Sequence, residues 1–286
     1  MARSLKDRSD RVSVARELAL DSPRRSEIGP LRKAVRWWNT PLGSAFLQVC
    51  SVVIFLIVWE AFARIPRAIT IPTPVASLRA GLALNPVDFL QDCALSFYRV
   101  GLGFVIAAVT AIPLGVLIGY SSLARSLLFP VVEILRPVPP IAWIPLALLF
   151  FPTTEGMIIF LTFYGAFFPI VYNTISGMSG IPKMYVRAAR SLGTNSWTLF
   201  WEVMVPAMLP SIFTGLHVAI GIAWLMVVAG EMVAVTGGVG ALTWQAYQTT
   251  HYPLIFVGMA SIGVLGFLSS QLIRAIARLV IRWDIA

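Results

Sequence analysis

Charged residues are scarce in this chain. Only 12% of its 286 residues are Asp, Glu, Lys or Arg, and 58% are hydrophobic, whereas soluble proteins carry about 25% charged residues. A large soluble core would need polar faces beside its apolar ones, and the apolar runs of this sequence show no such faces. The composition therefore argues against an ordinary soluble domain and predicts an integral membrane protein.

Lysine, histidine and cysteine are also rare, and their rarity narrows the chemistry. None of the three lysines follows a glycine, so the chain has no Gly-x4-Gly-Lys-Ser/Thr loop for nucleotide phosphates. The histidines and cysteines lack neighbours at metal-ligand or disulfide spacing, and no cluster suits an intramembrane enzyme. We therefore predict no catalytic residue, no metal site and no cofactor. The lysines, histidines and cysteines considered are Lys6, Lys33, Lys183, His217, His251, Cys50 and Cys93.

Apolar runs long enough to cross a bilayer occur six times. They predict an all-α polytopic membrane protein, with a transmembrane domain over residues 43–286 and a disordered basic tail over residues 1–42. A polar loop is expected between the last two runs, at residues 236–253, and turn signals at 69–78 indicate another. The predicted spans are 44–63, 95–120, 126–151, 157–178, 207–235 and 254–277.

The net charge of +9 indicates orientation rather than nucleic-acid binding, because the basic residues are concentrated in a few segments. Ten Lys or Arg lie within the first 36 residues, and others lie near residues 183–190 and at the C-terminal end. Basic residues favour the cytoplasmic side of a membrane. The pattern predicts that both termini and the polar segment 183–206 are cytoplasmic.

Proline and glycine mark two of the predicted spans. The third, 126–151, holds five prolines, which should kink it and turn it towards the bundle interior, where other groups satisfy the freed carbonyls. In the second span, Gly115 and Gly119 have the spacing that permits close contact between helices.

The segment "RAARSLGTNSWTLFWEVMVP", residues 187–206, is polar and helix-like, and it lies between two apolar spans. We expect two short helices with a turn at Gly193, and Pro206 at the start of the next span. Two interpretations remain open on composition. The segment is either an interfacial loop with Trp197, Phe200 and Trp201 on the membrane, or a docking helix for a soluble protein.

This segment resembles the cytoplasmic loop of permease subunits in bacterial ABC importers. That loop reads Glu-Ala-Ala, three residues, Gly, nine residues, an aliphatic residue, one residue and Leu-Pro. Two residues depart from the pattern, since arginine replaces the glutamate and Val205 replaces the leucine. The matching positions here are Arg187, Ala188, Ala189, Gly193, Val203 and Pro206.

Further stretches are similar to the nitrate, taurine, sulfonate and bicarbonate branch of these permeases. They are "EILRPVPPIAWIPL" at 133–146, "IPTP" at 71–74 and "VVAGEMVAVTGGVG" at 227–240. The link "FFPTTEG" at 150–156 departs from the sequence that is common in this branch. The resemblance covers the chain from about residue 43 to its end.

The resemblance implies a type I importer permease of the inner membrane that moves a small anion, such as taurine or another sulfonate, nitrate or bicarbonate. Two permease copies, two separate ATPase subunits and an extracytoplasmic solute-binding protein would form the complex. A vitamin precursor imported by the same machinery is one alternative. A solitary secondary transporter is another, although it would need paired broken helices that the sequence lacks.

Charged residues within spans are costly and often functional. Glu133 and Arg136 lie three residues apart, so they form either an internal ion pair or, with Arg136 free, a contact for an anionic solute. Glu231 is a candidate for gating or receptor contact, and otherwise for local hydrogen bonds. Arg99 and Glu60 are expected near the headgroups. The candidate translocation residues are Glu133, Arg136, Pro139, Pro140, Trp143 and Glu231.

Overall fold

The computed structural model describes residues 41–65 and 71–281. Residues 1–40 of the predicted basic tail lie outside these ranges. By its contacts the chain divides into two units, Met1–Arg67 and Ala68–Ala286. In the first unit, helix α1 (Pro41–Ala63) ends beside an ion pair, in which the Arg64 guanidinium lies 2.8 Å from the carboxylate of Glu60.

The described part of the second unit, residues 71–281, contains ten further α-helices. A 3₁₀ turn, Pro140–Trp143, precedes α5, and a π-helical stretch, Leu199–Met204, joins α8 to α9. No strand occurs in the ranges that the structure describes, which confirms the all-α prediction. The helices are α2 (Pro74–Leu82), α3 (Pro86–Tyr120), α4 (Ser122–Leu135), α5 (Ile144–Phe150), α6 (Thr154–Ser179), α7 (Lys183–Ser191), α8 (Ser196–Thr198), α9 (Val205–Ala234), α10 (Val239–Gln248) and α11 (Tyr252–Val280).

Polar caps fix where several of these helices begin. The Asn85 side chain accepts a hydrogen bond from the Val87 N–H, and Pro86 stands at the first helical position, where its missing N–H costs nothing. Thr153 caps α6 in the same way, through the N–H of Gly156. Five helices in the described ranges are long and apolar enough to span a membrane, or six if α4 and Pro140–Phe150 form one broken span.

Helix α6 is the centre of the second unit, because it packs between α3 on one side and α9 on the other. On α3, small residues four apart face α6. A Cβ added at Gly115 would lie 2.6 Å from the Cβ of Thr174, and one added at Gly119 would lie 2.6 Å from the Cβ of Met178. The predicted close contact at Gly115 and Gly119 is therefore confirmed, and it occurs within this chain.

The third predicted span, 126–151, is not one kinked helix. Helix α4 stops at Leu135, and the segment Pro140–Phe150 leaves it at an angle of 85°. Prolines at 137, 139 and 140 lack the N–H groups that would continue the helix, and each restricts the residue before it. The sequence predicts a span interrupted by prolines, and the structure shows the interruption as a break between two segments, at a place where three prolines lie within four residues.

Two predicted loops contain helices. The loop expected at 236–253 holds α10, and the one at 69–78 gives way to α2, which starts at Pro74 behind a Thr73 cap. Helix α3 also begins earlier than the predicted span, at Pro86 rather than near residue 95. Short helices of mixed composition are stabilised mainly by tertiary contacts. Their sequences therefore carry little hydrophobic periodicity from which a helix could be predicted.

Candidate functional site

The segment 183–206, called the coupling segment below, forms two short helices with a glycine turn between them. Gly193 has a φ of 81°, in the left-handed region that glycine adopts without strain. The turn closes α7 because the N–H of Thr194 bonds to the carbonyl of Ala189 at 3.2 Å. The Asn195 side chain then caps α8 through the N–H of Thr198 at 2.7 Å.

The exposed surface of this segment combines apolar and basic side chains. Leu192 is 87% exposed, Trp197 71% and Met184 68%, and the side chains of Arg187 and Ala188 are exposed as well. Phe200 instead points inward and meets the ring of Tyr120 edge-on, with 6.0 Å between centroids. Exposed apolar groups collected on one element commonly mark an interaction site.

The coupling segment continues directly into span α9. Val203 lies in the π-helical stretch, and Pro206 stands in the first turn of α9, so residues Ser196–Ala234 form one continuous helical rod. A proline ring clashes with the carbonyl four residues earlier in an α-helix, and the wider π turn relieves that clash at Glu202. The segment is therefore joined to α9 without a flexible linker.

A cavity of about 600 Å³ lies where the broken span meets α6 and α9. It is called the Arg136 cavity below, because Arg136 is the only charged residue among the described residues that line it. Pro139 and Pro140 line it from the break. The remaining walls are mostly apolar: Val138, Ile141, Gly165, Phe168, Pro169, Tyr172, Asn173, Val218, Ile222, Leu225 and Met226.

Arg136 does not pair with Glu133. Its guanidinium lies over the ring of Tyr172, 4.3 Å from the centroid, and no ion pair joins it to an acid within the described ranges. The internal ion pair offered as one interpretation is therefore wrong. Glu133 is exposed and lies outside the cavity. Trp143 packs on Tyr164, with 5.1 Å between ring centroids, and neither residue lines the cavity.

A second polar site lies at the far end of the bundle from the coupling segment, and Arg99 is its centre. Arg99 is fully buried. Its Nη1 donates to Glu231 at 2.8 Å and to the Gly237 carbonyl at 2.8 Å, and its Nε donates to Glu155 at 2.9 Å. One side chain on α3 thus binds α6, α9 and the loop before α10.

The glycine loop after α9 is held by side chains at three successive N–H groups. Gly238 donates to Asp92 at 2.7 Å, Val239 to Ser96 at 2.9 Å and Gly240 to Glu231 at 2.9 Å. These N–H groups open α10, and an α-helix leaves its first N–H groups without intrahelical partners. Helix α10 is therefore anchored to α3 and α9 through its N-terminus.

The structure corrects the expectation for Arg99 and separates the other candidates. Arg99 is not a headgroup anchor but a buried ion-pair residue, and Glu155 was missed altogether. Glu231 joins this network and lies outside the Arg136 cavity, so the candidates fall into two separate sites. In the sequence, Arg99 and Glu231 stand out only as charged residues near the ends of predicted spans. Arg99 pairs with Glu155, 56 residues away, and with Glu231, 132 residues away, and pairs so distant in sequence leave no local signal.

Comparisons with known proteins agree with this architecture. The family described as binding-protein-dependent transport system inner membrane component matches residues 111–283. The chain is 32% identical over 270 residues to the nitrate import permease protein NrtB of Leptolyngbya laminosa, covering 92% of this chain and 97% of that one. It is 31% identical over 255 residues to the taurine transport system permease protein TauC of Escherichia coli, covering 86% and 93%.

One solved structure, of inward-facing conformations of the MetNI methionine ABC transporter, matches with a TM-score of 0.50 and 20% identity. The match covers 68% of this chain and 95% of that chain. At this identity the likeness concerns the fold alone. It confirms the type I importer permease fold that the sequence predicts.

Proposed function

This chain belongs to the binding-protein-dependent transport system inner membrane components, and from that premise we propose that it forms the pore of an ATP-driven importer for a small anion. Two copies of the chain line the pore, and two separate ATPase subunits dock on the coupling segment. An extracytoplasmic solute-binding protein delivers the solute at the opposite end. The relatives named for nitrate and taurine support the choice of an anion.

One observation carries the coupling mechanism. The exposed coupling segment continues into α9 as the rod Ser196–Ala234. That rod lines the Arg136 cavity with Val218 and Leu225, and near its far end it carries Glu231. A displacement imposed on the exposed end is transmitted along a single helix to both polar sites. Rigid-body movement of this kind switches access between the two sides of a membrane.

The distribution of basic residues supports the proposed orientation. The coupling segment carries Lys183, Arg187 and Arg190 and lies on the cytoplasmic side, together with both chain termini. ATP is present on that side, and the loop end with α10 meets the solute-binding protein outside.

A tagged pull-down in mild detergent tests the proposal. Wild-type protein is compared with a variant in which residues 187–201 are scrambled, and the control carries exposed substitutions at the other end, Gln245→Ala and Gln248→Ala. An ATPase should be recovered with wild type and control but not with the scrambled variant. Failure of well-folded wild type to recover an ATPase would contradict the proposal.

Uptake measurements in cells separate ATP-driven import from a solitary transporter. Depleting ATP should stop uptake while ion gradients are held by other means, and collapsing the gradients with ATP present should leave uptake in place. Uptake that follows the ion gradients instead would favour the secondary transporter.

A further inference from the structure

We propose that Arg136 and Tyr172 form a solute subsite in the Arg136 cavity, and that the subsite binds the oxyanion group of an organic anion such as an alkyl sulfonate or carboxylate. This inference rests on the proposed function, because it concerns what the pore accepts. It goes further by distinguishing organic oxyanions from small inorganic ions such as nitrate or bicarbonate.

The contact with Tyr172 leaves the hydrogen-bonding edge of the guanidinium free. The Arg136 guanidinium lies over the face of the ring, 4.3 Å from its centroid, in a cation–π contact. A guanidinium carries five N–H donors in a fixed fork, and no carboxylate of the described residues pairs with them. Tyr172 is itself held by Phe129, at a centroid distance of 6.5 Å.

A free guanidinium edge fits an oxyanion with two neighbouring oxygens. Carboxylates and other oxyanions accept two parallel N–H bonds from arginine, which adds geometric specificity as well as affinity. No acidic residue of the described part of the chain pairs with Arg136, although Glu133 is only three residues away. Arg136 is exposed and lines the cavity, so it presents a positive charge there with no counter-charge from the described residues.

The walls of the cavity determine what the rest of the solute should be. They include Phe168, Val218, Ile222 and Met226. These side chains have no polar group that could replace the water molecules around a small inorganic ion. A cavity of about 600 Å³ with mostly apolar walls and a few polar groups, from Arg136, Tyr172 and Asn173, has the character of an organic ligand site. Burial of each solute methylene group favours binding by about fourfold.

Equilibrium binding to the purified complex tests the subsite. The complex, with its co-purified ATPase and without a solute-binding protein, is placed in nanodiscs and titrated with labelled butane-1-sulfonate. Methanesulfonate, ethanesulfonate, nitrate and bicarbonate serve as competitors. Affinity should rise about fourfold for each added methylene, and nitrate and bicarbonate should compete at least tenfold more weakly than butane-1-sulfonate.

Variants identify the residues responsible. Arg136→Ala should lose binding by at least tenfold, and Arg136→Lys should lose most of it, because an ammonium lacks the paired donors. Tyr172→Leu should bind more weakly, because it removes the ring on which the guanidinium lies. The control is Arg125→Ala, since Arg125 also lies over a ring, 5.8 Å from the centroid of Phe129, but outside the cavity.

The outcomes separate this inference from the proposed function. Wild-type affinity in Arg136→Ala, absence of binding by wild type, or nitrate binding as tightly as butane-1-sulfonate each overturns the subsite. If the ATPase still co-purifies and uptake still needs ATP, the importer function stands without it. If no ATPase co-purifies with wild type, the proposed function fails first.

Discussion

Arg99 shows what a charge requires in order to lie inside a bundle of membrane helices. An ionised group withdrawn from water is tolerated when other charges and hydrogen bonds replace its hydration. Arg99 has carboxylates of Glu155 and Glu231 on two sides and the Gly237 carbonyl on a third. Glu231 in turn accepts bonds from Ser96 and Gly240, so both buried charges are hydrogen-bonded.

Removing one charge of the Arg99–Glu231 ion pair should lower the stability of the protein more than removing both charges. Arg99→Met leaves Glu231 as an unpaired buried carboxylate, a loss expected to be about 3–5 kcal/mol. The double variant Arg99→Met/Glu231→Gln removes both charges and should recover part of that loss, since the amide oxygen still accepts the Gly240 N–H. Thermal unfolding in detergent, monitored by size-exclusion chromatography, measures the stability of the single and the double variant. Equal or greater loss in the double variant would count against a buried ion pair.

The sequence identified the polar residues of these sites better than it identified their partners. A charge within an apolar run indicates a functional or structural site, which is how Glu231 and Arg136 were selected. Their partners come from other helices, and Tyr172 and Glu155 carry no local signal that singles them out. Pairing across 56 or 132 residues follows from packing, which composition and periodicity do not contain.

At the scale of elements, the coupling segment was the most predictable part of the chain. Its glycine and its proline each have a local backbone reason, so Gly193 and Pro206 locate the turn and the start of α9. Helix α10 was missed for the opposite reason. Its start depends on Asp92, Ser96 and Glu231, which lie in other elements.

Proline at the turn of the coupling segment should uncouple the transporter. Gly193→Pro demands a φ near −65° where the structure has 81°, and it removes the N–H that bonds to the Arg190 carbonyl. We expect uptake to fall at least tenfold while the co-purified ATPase still hydrolyses ATP. Both activities are measured on the same proteoliposomes.

Asparagine at the same position is the matched control. Asn tolerates the left-handed conformation better than other residues with a side chain, and it keeps the backbone N–H. Gly193→Asn should therefore retain most of the uptake. Normal transport by Gly193→Pro, or equal loss in both variants, would contradict a role for the turn geometry.

At the scale of the whole molecule, the two polar sites and the coupling segment lie at different depths along the same helices. The rod Ser196–Ala234 begins in the exposed segment, passes the Arg136 cavity and reaches Glu231. Helix α3 runs beside α6 from Arg99 at one end to Tyr120, which contacts Phe200, at the other. Each end of the bundle is thus connected to the other through continuous helices, along which a rigid-body displacement can be transmitted.

This arrangement makes a definite prediction about which end faces the cytoplasm. With Cys50 and Cys93 replaced by alanine, single cysteines are introduced by Ser191→Cys in the exposed turn of α7 and by Gln248→Cys at the exposed end of α10. In intact cells or spheroplasts, a membrane-impermeant maleimide should label the Gln248→Cys protein. It should label the Ser191→Cys protein only after permeabilisation, because basic segments stay on the cytoplasmic side.

The cysteine-free parent controls for background, and labelling in detergent shows that both thiols react when accessible. The physical reason for the expected asymmetry is the charge of the coupling segment, since Lys183, Arg187 and Arg190 closely precede Ser191. Reversed labelling would place the coupling segment outside, where no ATP is supplied, and would contradict ATPase docking at that end. Labelling of both sites from outside would show that the rod Ser196–Ala234 does not cross the membrane.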